Sequence, residues 1–366
     1  MRKTPLKILH IAPQNIANVP MTLVKAERRL GHYSRLVTFF ADPRGYEEDV
    51  VLNLPFANNK WVVHFKPIFS HSSRQSVKNI IPQNPEKPPL WKSGGIIEKI
   101  LISGREKLWQ SRVKKLMQKI DFFSFDLYCF ETGMDFFSDA RTIIELKKRG
   151  KKIAVLYTGS DLRTRGIYPQ VENAANFRGT FELDHLMLHP QLVHLPLPFD
   201  TGKFDFRVPL AGDKTRIGHA PTNREAKGSE QILAILDQLQ KEKNITIVLI
   251  ENMSHFDALA QKQSCDIFID QIGDLGYGIN SLEALAFGIP TCTCLAPGFH
   301  SHFPEHPFIE INAANLKEKL VQLIDNPNRR NQISEAGRKW VEKYHDSLVV
   351  VQKIHQLSGV AVAVET

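Results

Sequence analysis

Arg224 and Lys227, in the segment NREAKG, place two cations immediately before Gly228 and Ser229, where a helix is expected to start. A helix N-terminus offers unpaired N–H groups and the positive end of its dipole, so two cations beside it make a diphosphate site without a metal. The bland alternative is a solvated basic turn. Further along, GYGINSLEALAFGIP (Gly276–Pro290) runs from Gly276, Tyr277 and Gly278 into a helix that carries a single acid, Glu283. The glycines let the backbone approach a ligand closely. Glu283 has two readings. It is either the acid of a capping box, three positions after Asn280 as N-cap, or a carboxylate that accepts hydrogen bonds from the vicinal hydroxyls of a sugar, as the acid of dinucleotide folds does with ribose. His219, closing the strand before NREAKG, either faces the ligand or is satisfied by local hydrogen bonds.

The elements that must position these residues alternate. LKILHIA reads as a buried strand, PMTLVKAERRLG as a helix with Pro near its start and Gly past its end, and SRLVTFF as a strand. DLYCF, FFSDARTIIELKKRG and KKIAVLY repeat the pattern. A prolyl stretch, VHLPLPFDTGKFDFRVPLAGDK, interrupts it before TRIGHA, KGSEQILAILDQLQKEK, ITIVLI, HFDALAQKQ and CDIFID begin it again. Strand–helix–strand repetition predicts parallel sheets with right-handed crossovers, which bind ligands beyond the carboxyl ends of their strands. The expected architecture is α/β, with two Rossmann-like doubly wound domains facing a central cleft. The domains are residues 1–200 and 215–345, joined by a linker at 201–214, with a C-terminal helix at 346–366 returning toward the first domain.

Composition is that of a globular chain: 366 residues, 42% hydrophobic and 23% charged, with a formal net charge of +8. The basic surplus concentrates between His71 and Ile120, where eleven Lys or Arg stand against three Glu. Ile96, Ile97, Ile100, Leu101, Leu108, Val113 and Leu116 lie near helical spacing there, predicting a helix with one apolar and one basic face. That helix is read either as packed with a solvated basic side or as resting on an anionic membrane surface. No nucleic-acid motif accompanies the basic residues, so nucleic acid is not an expected partner. The four cysteines have no zinc-like or redox spacing, and His10, His64, His185, His189 and His194 show no ligand spacing, so no metal is expected. Lys7 and His10 break the first apolar run, so no leader is read, and the expectation is a cytoplasmic chain, peripheral on the inner membrane face.

NREAKG followed by GYGINSLEALAFGIP resembles the donor site of the family-four retaining glycosyltransferases, which have the GT-B fold. ILHIAPQNIANVPMTLVKAERRLG is similar to the family's first strand and helix, YTGSDLR to its central loop, VHLPLPFDTGKF to its interdomain linker and NPNRRNQISEAGRKWVEKYHD to its C-terminal helices. The resemblance implies transfer of a sugar, with retention, from a nucleotide-diphospho-sugar to a glycan or lipid-linked acceptor, without metal or protein nucleophile, in cell-surface polysaccharide or glycoconjugate assembly. Carried over residue by residue, Arg224 and Lys227 clamp the diphosphate and neutralise the leaving group, and Glu283 holds the ribose. The Gly278–Asn280 backbone and Ser281 line the phosphate and sugar. His219, Asn223, Gly228, Asp274, Gly276, Tyr277 and Ile279 complete the donor-binding set. Asp161 joins Arg224 and Lys227 as catalytic, and Asn15, Asn18 and Arg163 fall on the acceptor side, although Asn15 and Asn18 also read simply as a polar turn before Pro20. Two positions depart from the family: Leu275 stands where a sugar-binding Glu is usual, with Asp274 beside it, and Thr158 where a His is usual. They leave open a catalytically silent module that binds sugar nucleotide and, more remotely, a sugar-nucleotide epimerase. The oligomeric state is not legible.

Overall fold

The computed structural model describes residues 4–57, 88–92, 95–159, 161–207, 214–273 and 276–360. Asp274 and Leu275 lie outside the described residues, as does the basic segment before residue 88. The chain forms two units: residues up to Pro198 together with those from Ser347 on, and Phe199–Asp346.

The first unit runs β1 (Lys7–Ala12), α1 (Val19–Arg29), β2 (Tyr33–Thr38), β3 (Val50–Val51), α2 (Ile96–Lys119), β4 (Leu127–Glu131), α3 (Arg141–Lys148), β5 (Lys152–Tyr157), α4 (Asp161–Thr164), α5 (Pro169–Ala174), β6 (Phe177–Thr180), α6 (His185–Leu188) and β7 (Val193–His194). Its seven strands pair in the order β3-β2-β1-β4-β5-β6-β7, all parallel. In β1, β4 and β5 every residue but the first of β1 and of β5 is buried, the near-continuous apolar run that a sheet covered on both faces requires.

The second unit runs β8 (Thr215–His219), α7 (Arg224–Lys227), α8 (Ser229–Glu242), β9 (Ile245–Leu249), α9 (His255–Gln263), β10 (Ile267–Gln271), α10 (Ile279–Phe287), β11 (Thr291–Thr293), α11 (Phe299–His302), β12 (Ile309–Glu310), α12 (Leu316–Ile324) and α13 (Pro327–His345). Its sheet, also parallel, has the order β12-β11-β10-β8-β9. Phe199 to Arg207, inside the prolyl stretch, packs on this unit: Phe204 stacks on Phe199 and meets Phe287 edge to face, and Arg338 donates to the Phe204 carbonyl at 2.7 Å. A last helix, α14 (Ser347–Leu357), belongs to the first unit.

Helix α2 corrects one expectation. Its apolar residues do not share a face. Trp109, Val113 and Leu116 are buried in the core, with the Trp109 indole donating to the Pro55 carbonyl at 2.8 Å. Ile96, Ile97, Ile100, Leu101 and Leu108 are 54–78% exposed on the other side. Spacing alone merged two stripes because Ile96 to Leu108 and Trp109 to Leu116 each keep helical intervals while lying on different sides of the helix.

A buried polar knot holds α14 to the first unit. Glu27, on α1, accepts from His10 Nε2 at 3.0 Å, from the Ser34 hydroxyl at 2.6 Å and from His355 Nε2 at 3.0 Å, and His10 Nδ1 reaches Glu131 at 2.9 Å. Burial alone would raise the Glu27 carboxyl. His10 and His355 hold it well below the usual carboxylate range instead. A depressed folded pKa contributes stability that is present above the ordinary value of 4.5 and lost as pH falls through the folded one. Glu27→Ala strands three buried partners and is expected to lower stability by about 3–5 kcal/mol at neutral pH, with a smaller loss in acid, as urea melts at pH 7 and pH 4 will report.

Candidate functional site

In the second sheet the strand order reverses between β8 and β10, and ligands of open α/β sheets bind at the carboxyl ends of the strands flanking such a reversal. The turns after β8, β9 and β10 carry the residues read from the sequence. After β8 the chain turns into α7, whose N-cap, Asn223, accepts from the Ala226 N–H at 3.1 Å. Helix α7 ends at Gly228, with φ +70°, and a Cβ there would lie 2.6 Å from Ile272. Only glycine accommodates both the left-handed backbone and that contact, and α8 then starts at Ser229.

The two cations of NREAKG are bound differently. Lys227 reaches inward: its Nζ lies 2.9 Å from Oδ1 of Asp270, a carboxylate at the end of β10 with no exposed surface. Asp270 Oδ2 also accepts from the Ser281 hydroxyl at 2.6 Å and faces the Gly278 N–H at 3.4 Å. Burial by itself would raise this carboxyl, but Lys227 and Ser281 keep it below its usual range. Arg224 reaches outward. Its Nε and one terminal nitrogen grip both oxygens of Glu251, just beyond β9, at 2.8 and 2.7 Å, and the other terminal nitrogen lies 3.2 Å from Glu230. These hydrogen bonds to Glu251 and Glu230 raise the Arg224 pKa.

Glu283 is buried, and its carboxylate is shared. The Lys262 ammonium, itself 1% exposed, bonds one oxygen, and His255 Nε2 bonds the other at 2.8 Å. Lys262 also reaches the Asn280 side-chain oxygen at 2.7 Å, while Asn280 Nδ2 donates to the Ala220 carbonyl at 3.1 Å. The capping-box reading is thereby corrected. Helix α10 starts at Ile279 after Gly278, so Asn280 lies inside it, and Glu283 turns to Lys262 because a buried carboxylate gains more from a cation than from a backbone N–H. A Cβ at Gly276 or Gly278 would meet nothing within 4 Å, so the loop into α10 borders open space.

Other residues of the set have structural partners. His219 is fully buried, with Nδ1 on the Ile269 carbonyl at 2.9 Å and Nε2 on the Ser229 hydroxyl at 2.8 Å, the local satisfaction that the sequence left open. Tyr277 sits among Phe299, Phe308, Trp340 and His345, its hydroxyl 3.2 Å from His345 Nε2, and anchors the loop. In the first unit Asn15 is buried, bonding Asn18, the Glu47 carbonyl and the Met21 N–H, which is the polar-turn alternative. Arg163 is engaged by Asp184 at 2.6 Å and Glu182 at 3.2 Å. Asp161 opens α4, accepts from the Thr158 N–H at 3.0 Å and has its carboxyl pushed up by burial.

Four residues of the charge network were not read from the sequence: Asp270, Glu251, Lys262 and His255. Asp270 had a signal, a carboxylate closing the otherwise apolar strand segment IFID. Lys262, in the last turn of α9, reads as a solvated surface lysine. The Lys262–Glu283 pair yields a prediction with a worked sign. Lys262 and His255 pull Glu283 below its ordinary value against burial, so it contributes stability above about pH 4.5 that fades in acid. Lys262→Met leaves a buried carboxylate with one partner, and its folded pKa then rises. The variant is expected to lose about 3 kcal/mol at pH 7.5, the gap from the wild type closing toward pH 4.5, measured by denaturant melts across that range.

No family model matches the chain. One curated protein, named as an ABC transporter ATP-binding protein from Methanosarcina mazei, is 26% identical over 137 residues, which are 35% of this chain and 23% of that protein, so the chain matches under a quarter of its length. Solved structures match across nearly the whole chain. Sucrose-phosphate synthase from Thermosynechococcus elongatus superposes with a TM-score of 0.61 at 13% identity, covering 96% of this chain and 98% of that one. A glycosyltransferase from Rickettsia africae gives 0.60 at 12%, covering 97% and 98%. Anabaena HepE, solved with UDP and glucose, gives 0.54 at 10%, covering 96% and 98%. At these identities the likeness speaks to architecture, and the chain has the GT-B fold of glycosyltransferases.

Proposed function

We propose that the protein is a retaining glycosyltransferase that takes a sugar from a nucleotide-diphospho-sugar held by the second unit. The observation that carries this reading is the convergence of Arg224, Lys227, Glu283 and the start of α10 at the carboxyl ends of β8 and β10, beside a loop with open space at Gly276 and Gly278. In the proposed reaction the bond from the anomeric carbon to the diphosphate oxygen breaks as the acceptor oxygen bonds to the same face. The acceptor proton passes to the departing phosphate, whose charge Arg224 and Lys227 offset. Glu283 orients the ribose, Asp161 is assigned with Arg224 and Lys227 to the catalytic set, and Asn15, Asn18 and Arg163 to the side of a glycan or lipid-linked acceptor of cell-surface assembly. The UDP of the HepE structure makes uridine the first base to test. The second reading, a silent nucleotide-binding module, rests on Leu275 and Thr158. A thermal-shift and turnover panel of nucleotide sugars, with and without chelator, separates them. Chelator-insensitive stabilisation with release of nucleoside diphosphate supports the enzyme, and stabilisation without turnover against a broad acceptor panel supports the module. Arg224→Ala and Lys227→Ala are each expected to weaken binding by about tenfold or more, and unchanged affinity in both would remove the site assignment.

We also propose that α2 rests on an anionic lipid surface. Ile96, Ile97, Ile100, Leu101 and Leu108 face solvent, followed along the helix by exposed Lys107, Arg112, Lys114, Lys115 and Lys119. Apolar side chains then enter the acyl boundary while the cations meet headgroup phosphates, each cation contributing about 1 kcal/mol. Among the described residues no helix is long and apolar enough to cross a membrane. Vesicles with anionic lipid are expected to sediment the protein at low salt and neutral vesicles are not. Paired Ile97→Asp and Ile100→Asp changes, on exposed positions, should abolish sedimentation without lowering the melting temperature. Equal sedimentation with both vesicle types, or with neither, overturns the proposal.

A further inference from the structure

The ions of the candidate site in the second unit have partners of two kinds. One kind is buried and fixed: Lys262 on Glu283, and Asp270, with no exposed surface, on Lys227. The other kind is at least partly exposed: Glu230 on α8, 3.2 Å from Arg224, and two residues of a single turn. Glu251, with a side chain 17% exposed, grips the guanidinium of Arg224 with both oxygens, and His255, with a side chain 58% exposed, donates from Nε2 to Oε1 of Glu283 at 2.8 Å. Glu251 and His255 bracket the connection from β9 to α9, whose Asn252 holds a left-handed φ of +54°. The far end of this turn is pinned by Ser254, which caps α9 through the Asp257 N–H at 3.1 Å, and its near end by Ile250, whose N–H bonds the His219 carbonyl at 2.9 Å. Glu251 sits between these anchors and His255 directly follows the second, as the first residue of α9.

The chemistry of these two residues matches that of a bound donor. A carboxylate on a guanidinium occupies the same bidentate donors that a phosphate takes, and an imidazole N–H on a carboxylate occupies the acceptor that a ribose hydroxyl takes. We propose that the Glu251–His255 turn is an internal stand-in for the donor: Glu251 holds the phosphate place on Arg224 and His255 the hydroxyl place on Glu283, and both are displaced when nucleotide binds. This rests on the donor reading above and adds to it the regulation of the same site. Exposed pairs are weak enough to be exchanged, whereas Asp270–Lys227 and Lys262–Glu283, being buried, stay as the frame. The turn thereby sets donor affinity, holding it below what the cations alone would give, and favours release of product diphosphate.

The test uses calorimetric titration of the full chain with inorganic pyrophosphate, which has charge but no ribose, and with UDP, GDP, ADP and CDP. Glu251→Gln is expected to tighten both pyrophosphate and the preferred nucleotide about three- to tenfold, and Arg224→Ala is expected to erase that gain in the double variant. His255→Ala is expected to tighten the nucleotide and leave pyrophosphate unchanged. Melting temperatures of the variants report folding separately. If the wild type binds nucleotide and Glu251→Gln binds it equally or more weakly, the stand-in is overturned and the donor reading remains. Gain in Glu251→Gln that survives Arg224→Ala overturns it as well. Weaker nucleotide binding by His255→Ala overturns the hydroxyl half and makes His255 a direct ligand. Absence of binding to every probe by both wild type and Glu251→Gln overturns both readings.

Discussion

A carboxylate at the end of a buried parallel strand has to be matched, and in this protein that requirement shapes the edge of the second unit that carries the candidate site. Asp270, the last residue but one of β10, has no exposed surface. Removing such a group from water costs several kcal/mol even after relaxation. One ammonium about 3 Å away returns roughly 5 kcal/mol at an effective dielectric near 20, but must itself be desolvated. Lys227 alone therefore leaves the balance near zero, and the Ser281 hydroxyl, at 2.6 Å, tips it. The consequence is geometric. Lys227 on α7, Ser281 on α10 and Asp270 on β10 become one rigid assembly, so the two turns bearing the candidate site cannot move independently. The left-handed glycine at Gly228, tucked against Ile272, locks the same two turns from the backbone side.

Much of the fold was legible because it depends on periodicity and punctuation. Strands such as LKILHIA and KKIAVLY are apolar runs, helices end where Gly or Pro stops them, and their alternation leaves a parallel sheet as the simplest packing. The strand order was not legible, since order depends on which crossover goes to which face. Helix α2 shows where periodicity misleads. Helical intervals hold from Ile96 to Leu108 and again from Trp109 to Leu116, yet Ile97 is 70% exposed and Val113 2%. Spacing fixes which residues share a stripe but does not say how many stripes there are.

Legibility of the site divides along a different line. Arg224, Lys227 and Glu283 stand out because a charge beside glycines in an apolar context is unusual. Their partners do not. Lys262 looks like any lysine in the last turn of a surface helix, and only the third dimension shows its ammonium buried against Glu283. Glu251 and His255 are ordinary polar residues of a turn. The capping-box reading failed for a related reason: Asn280 and Glu283 have the right spacing, but a local pattern cannot register a distant cation that outbids the backbone N–H. Contacts between residues far apart in the chain are set by the fold, and no window on the sequence contains them.

An edge rich in unmatched charge would be poorly suited to waiting for a ligand, and the structure resolves this by filling every partner. Arg224 and Glu283 keep their positions because something always occupies them. Residues that occupy them from a buried strand or helix make the frame stiff, and residues that occupy them from an exposed turn make it exchangeable. The same pairing rule therefore serves two ends under the proposed donor reading: burial decides which ion pairs hold the unit together, and exposure decides which can be surrendered to an incoming anion or hydroxyl. Preorganised charge is kept without being spent on the protein's own groups irreversibly, and the depth of each partner, more than its identity, separates structure from function at this edge.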